Sequence, residues 1–174
     1  IRQSVRYLWS KGHDRIGFLC GEPDSIVTIE RKQAYSDALA ERGLEEDPAA
    51  VNYGCFSAKG TKKRILEIAE TGVTAVVCIS DLLACTAVKE LIHAGYSVPE
   101  DISVTGYDNL PPSEYSQPPI TTLSQNRIHI GKTAFFMLQQ MKNGIHIKSV
   151  MLRPELIERE SVREICPREL PKEK

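Results

Sequence analysis

Thr74-Ala-Val-Val-Cys-Ile79, the run TAVVCI, is an almost unbroken apolar and β-branched stretch, with Gly72 just ahead of it and Ser80-Asp81 just behind. A strand with so little polar alternation has two faces to bury, and that is the requirement of a central strand in a parallel sheet covered on both sides. Leu82 to Ala94 follows at once, with Leu83, Ala84, Ala87, Val88, Leu91 and Ile92 at helical spacing and Gly95 behind. Asp81 stands where its carboxylate is expected to accept the first amides of that helix. The unit is strand then helix, with no hairpin signal between them.

The same alternation extends in both directions. Upstream, Thr61 to Thr71 reads as a helix, Ala49 to Tyr53 as a short strand, Thr28 to Arg42 as a helix followed by Gly43, and Arg15 to Gly21 (RIGFLCG) as a buried strand. Ile1, Val5, Leu8 and Trp9 recur at helical spacing, and Gly12 falls where a left-handed residue would end that helix. Downstream, Ile102 to Tyr107 is a strand and the proline-rich Leu110 to Pro119 a long loop. Arg127 to Lys142 is a helix, and Ile147 to Ile157 is extended. Strands alternating with helices through short turns predict an α/β fold, a three-layer and mostly parallel sheet with right-handed crossovers on both faces. Such sheets bind small ligands beyond the carboxyl ends of their strands. That rule selects Gly21 to Arg31, Gly54 to Ser57, Ser80 to Asp81 and Asp108 to Asn109 for inspection.

Composition narrows the function. With 174 residues and 41% hydrophobic content the chain can bury a core of its own. A net charge of -1, from 22 basic and 23 acidic residues spread along the chain, predicts no stripe able to neutralise a run of phosphates, so this piece alone is not expected to bind DNA tightly. No apolar run reaches the roughly 18 residues of a membrane-spanning helix, and no membrane partner is expected. The five cysteines, Cys20, Cys55, Cys78, Cys85 and Cys166, form no C-x-x-C pair. They are read as structural residues of a cytoplasmic protein, with no metal site and no cofactor. Phosphate-binding glycine loops and the G-x-S-x-G nucleophile turn are absent, so no catalytic residue is assigned and a flavodoxin-like enzyme is the least favoured class.

Three segments, taken together, resemble the LacI/GalR family of transcriptional regulators: YLWSKGHDRIGFLCG (Tyr7 to Gly21), TAVVCISD (Thr74 to Asp81) and VPEDISVTGYDNLPPSEYSQPPITTLSQ, which ends at Gln125. The resemblance implies a periplasmic-binding-protein-like fold of type I. Residues 1–162 would then be chiefly the second of two effector-clamping subdomains, 121–144 a segment crossing to the first, and 163–174 a disordered tail. It also implies a helix-turn-helix headpiece, absent from this chain, that binds operator DNA, together with a homodimer and a small-molecule effector, most readily a sugar or sugar derivative. A secreted sugar-binding protein of the related periplasmic type is the alternative. Dimerisation through helices of this subdomain makes Ala84 and Ala87 a candidate contact face, unless that face is core.

The ligand-binding residues follow from matching positions. Arg31 matches the arginine of the family's R-x-x-G-[YFW] motif, although Ala34 stands in the glycine's place, and its planar fork of donors suits hydroxyl or carboxylate groups. Asp108 matches the aspartate of G-[YF]-D-[DN], at a strand end where a carboxylate can accept two hydroxyls. Phe56 stands where relatives carry a stacking ring. Ser80 replaces a family asparagine, keeping a hydrogen-bonding group but shortening it. Gln125 matches a position near the crossover that reaches effector in some relatives. His13, in the GHDRI turn, is read as structural, and His93, His129 and His146 as surface residues.

Overall fold

The structure, a computed structural model, describes residues 1–53 and 58–166. Phe56 and the rest of 54–57 therefore lie outside the described residues, as does 167–174. Helix α1 (Arg2–Ser10) leads into β1 (Ile16–Cys20), α2 (Ile26–Ala40), a single 3-10 turn at Pro48–Ala50, β2 (Val51–Tyr53), α3 (Ala58–Glu70), β3 (Ala75–Cys78), α4 (Asp81–His93) and β4 (Ser103–Thr105). The four strands form one parallel sheet in the order β2-β1-β3-β4. Every residue of β1 and β3, the two inner strands, is buried. Their register sets Ile16 beside Ala75 and Leu19 beside Cys78.

That strand order dictates the layers. From β1 the chain steps outward to β2 on one side, then returns past β1 to β3 and on to β4. Right-handed crossovers place α2 on one face and α3 and α4 on the other. Accordingly α1 packs against α2 while α3 packs against α4. Tyr35 from α2 stacks on Phe18 of β1 with ring centroids 4.9 Å apart, and its hydroxyl donates to the Ile16 carbonyl at 2.6 Å. On the opposite face Ala84 and Ala87 are fully buried. The small-residue side of α4 is thus core, and its exposed side carries Leu82 and Ile92.

Beyond β4 the chain departs from the parallel pattern. Pro111–Tyr115, expected as loop, forms a short helix, α5. Its first-turn prolines have φ already set for a helix and lack amides that would in any case go unpaired there. β5 (Thr122–Ser124) leads into α6 (Arg127–Lys142), whose bounds are those expected. Of the extended region 147–157 only β6 (Glu155–Ile157) is strand, and it pairs antiparallel with β5 as a separate two-stranded sheet. No local hairpin signal announces that pair because a whole helix lies between its strands. No residue of α6 is buried, and Phe135, Phe136 and Leu138 are each more than 60% exposed.

The tail is docked further than expected. Arg163 N–H donates to Ser103 Oγ at 3.0 Å, and Ile165 N–H donates to the Lys11 carbonyl at 2.8 Å, so 163–166 is pinned across the α1–β1 turn. Gly12 in that turn has φ +93, and a Cβ there would stand 2.4 Å from the Cys166 backbone nitrogen, so conformation and space both call for glycine.

His13 is fully buried under the same tail. A carbonyl can only accept, so the contact at 3.2 Å to the Arg163 oxygen fixes the proton on Nε2, and Nδ1 accepts from the Thr74 hydroxyl at 2.9 Å. Burial lowers its pKa below the ordinary histidine value. The unfolded chain therefore takes up a proton at higher pH than the folded one. Stability from neutral His13 is present above the unfolded pKa and declines as pH falls through it. Urea melts from pH 7.5 to 5 are expected to show that decline, and His13→Asn to flatten it in this interval. An unchanged slope would separate His13 from the acid response.

Candidate functional site

Two loops and one helix meet at the carboxyl edge of the sheet. Arg31, in the second turn of α2, donates from Nη1 to the carbonyl of Ile79 at the end of β3. Its guanidinium carbon lies 4.1 Å from the ring centroid of Tyr107, which follows β4. The arginine is thus stacked and tethered, and among the described residues it has no carboxylate within salt-bridge distance. Tyr107 was not among the expected residues, although its place before Asp108 in the GYDN motif was the available signal.

Asp108 is half-buried at the same edge, and its carboxylate accepts from Gln125 Nε2 at 2.9 Å. Burial raises its pKa above the ordinary carboxylate value, while the charge of Arg31 and the Gln125 hydrogen bond oppose that rise. Its backbone has φ 105 and that of Asn109 φ 49, both left-handed. Strained conformations of this kind persist only where neighbours hold them. Here Asp108 N–H donates to the Leu123 carbonyl at 2.8 Å. Asn126, at φ 23, is a third such residue, and its side chain caps α6 by accepting from His129 N–H at 3.0 Å.

The structure therefore brings Arg31, Asp108 and Gln125 to one rim, Arg31 and Asp108 through Tyr107. Ser80 is the residue before α4, and its hydroxyl accepts from Leu83 N–H at 3.4 Å. The cap expected from Asp81 is thus supplied by Ser80. Asp81 is fully buried and turned the other way, accepting from Leu110 N–H and from the Thr122 hydroxyl, each at 2.6 Å. It fastens the start of α4 to the loop after β4 and to β5. Gly106 permits this, because a Cβ there would stand 2.2 Å from Asp81 Oδ1.

Next to the rim, Tyr107, Gln125, Asn126, His129, Ile130 and Arg153 line a shallow cleft of about 70 Å³ that is open to solvent. That is well below the roughly 300–1,000 Å³ of pockets that enclose most of a small ligand, so this chain forms an open surface and not an enclosing pocket. Among the described residues no cluster of histidine, cysteine, aspartate and glutamate could hold a metal ion, and Cys20, Cys78, Cys85 and Cys166 are free thiols.

A doubly covered parallel sheet with an open cleft near its carboxyl edge is compatible with a domain of the periplasmic-binding-protein class. The chain belongs to the periplasmic binding protein-like domain family, whose profile matches residues 5–162. It is 36% identical to the HTH-type transcriptional repressor PurR of Vibrio atlanticus, over 92% of this chain and 49% of that protein. It is 34% identical to the HTH-type transcriptional repressor CytR of Escherichia coli, over 92% and 48% respectively. The chain thus spans about half the length of the curated relatives it matches. Among solved structures it resembles the Escherichia coli transcriptional repressor AscG, with TM-score 0.85 and 28% identity over 93% of this chain and 60% of that one. It also resembles the transcriptional regulator CelR in complex with cellobiose, with TM-score 0.80 and 32% identity over 92% and 50%.

Proposed function

We propose that this chain is the effector-sensing part of a DNA-binding transcriptional regulator of the LacI/GalR type. It supplies one wall of a cleft in which a small polar molecule, most readily a sugar or sugar derivative, alters affinity for operator DNA. The observation that carries the reading is the convergence of Arg31 and Asp108. A fork of donors and a carboxylate, far apart in sequence, stand at one sheet edge with Gln125 orienting the acid. Together they offer donors and acceptors to adjacent hydroxyls.

The remaining features follow from that reading. A sensor binds without reacting, and the protein acts in the cytoplasm where its operator is. The exposed face of α6 packs against a first subdomain supplied by a longer chain, and effector affinity depends on closing the two halves together. Homodimer contacts fall on Leu82 and Ile92 of α4 and on Tyr115 of α5, which are exposed by 53, 45 and 79%. CelR, solved with cellobiose, and the Lac repressor dimer, solved bound to operator and an anti-inducer, support the sugar and operator assignments by similarity.

The test is a thermal-shift panel of sugars, sugar phosphates and nucleosides against the full-length regulator, followed by operator-binding titration with each hit. A sugar that raises the melting temperature and changes operator affinity supports the proposal. A panel in which only nucleosides act would replace the sugar assignment, and a hit that leaves operator affinity unchanged would overturn the sensor reading. The chain of 174 residues alone is expected to bind the same hit at least about 100-fold more weakly, because one wall of the cleft is missing. Calorimetry with equal affinity for the two would contradict the two-walled site.

A further inference from the structure

The left-handed pair Asp108–Asn109 is held at the Asp108 amide by the Leu123 carbonyl and at the following Leu110 amide by Asp81, and a further restraint reaches the Asn109 side chain from the far end of the chain. Arg159, just past β6, donates from Nη2 to Asn109 Oδ1 at 2.8 Å. From Nη1 it donates to the Ile120 carbonyl at 2.8 Å and to Ser113 Oγ at 3.3 Å. Its own backbone is anchored to Thr121: Arg159 N–H donates to Thr121 Oγ1 at 2.9 Å, and that hydroxyl donates to the Arg159 carbonyl at 3.2 Å. One guanidinium therefore joins the loop that carries Asp108, helix α5 and the entry to β5. The other bond held by Asn109 is weak, its amide donating to Thr122 Oγ1 at 3.4 Å. Arg159 does not line the cleft.

We propose that Arg159 is a positioning residue of the binding rim: by gripping the Asn109 side chain it fixes the left-handed Asp108–Asn109 turn and so holds the Asp108 carboxylate at the rim beside Tyr107 and Gln125. The inference rests on the proposed role of Asp108 in effector binding. The geometric requirement is a two-armed donor, because the Asn109 oxygen and the Ile120 carbonyl must be reached from different nitrogens of one planar group. A lysine keeps the charge and can satisfy one of these acceptors but not hold both. If Arg159 served only α5 and the Ile120 carbonyl, loss of the Asn109 contact would leave Asp108 unaffected.

The experiment uses the ligand-free protein, so its outcome is independent of whether any effector binds. Amide hydrogen exchange and the carboxyl titration of Asp108 are followed by NMR in Arg159→Lys and in Asn109→Gly, which accepts the left-handed backbone but removes the gripped side chain. Both variants are expected to speed exchange of the Asp108 amide about 10-fold or more while Val76 and Val77 in the central strand exchange as before. Both are expected to raise the Asp108 titration midpoint as its bond to Gln125 loosens. An unchanged Asp108 amide and midpoint in both variants would overturn the proposal, as would faster exchange spread evenly through the sheet.

Discussion

Asp108→Asn is expected to lower affinity for the effector found by screening about 30-fold or more in the full-length regulator, with little change in melting temperature. A carboxylate accepts from two ligand hydroxyls at once, whereas the carboxamide offers one acceptor oxygen and turns a donor toward the other. Hydrogen bonds to a charged group contribute about 1.5–3 kcal/mol, equivalent to roughly 10- to 150-fold in binding. Stability should hold because asparagine tolerates a left-handed backbone and its oxygen can still accept from Gln125. Calorimetric titration separates the two effects. A large fall in melting temperature with affinity intact would mean that Asp108 serves the fold and not the ligand.

Asp81→Ala should produce the largest loss of stability, about 3 kcal/mol, or roughly 10 °C in melting temperature for a domain of this size. It removes two short hydrogen bonds inside the protein and leaves the Leu110 amide without its acceptor. Asp81→Asn should cost less, about 1–2 kcal/mol, because an amide oxygen retains one bond and no charge remains to be desolvated. Burial raises the Asp81 pKa. Protonating it therefore relieves a desolvation cost as pH falls through the raised value, and acid sensitivity below neutrality should track His13 instead. Urea denaturation of both variants checks the order. Equal stability of Asp81→Ala and the parent would remove Asp81 from the account of how the rim is held.

Much of this architecture was legible from periodicity. TAVVCI read as an inner strand because it leaves neither face for water, and helix α6 was bounded by its spacing alone. The antiparallel partnership of β5 and β6 was not legible, since its pairing is non-local and its strands are three residues long. At the rim, motif matching located Arg31, Asp108 and Gln125, but it could not show Tyr107 beneath the arginine or Arg159 behind Asn109. Those contacts arise from packing between segments distant in sequence. The cap of α4 was misplaced by one residue for the same reason: Ser80 and Asp81 can both cap in isolation, and only the loop folded over Asp81 commits its carboxylate elsewhere.

The most direct measurement is a crystal structure of the full-length regulator with its bound effector. The account predicts one ligand with polar atoms within about 3.2 Å of both the Arg31 guanidinium and the Asp108 carboxylate, the latter still bonded to Gln125. A ligand held at another edge of the sheet, or one that touches neither side chain, would contradict it.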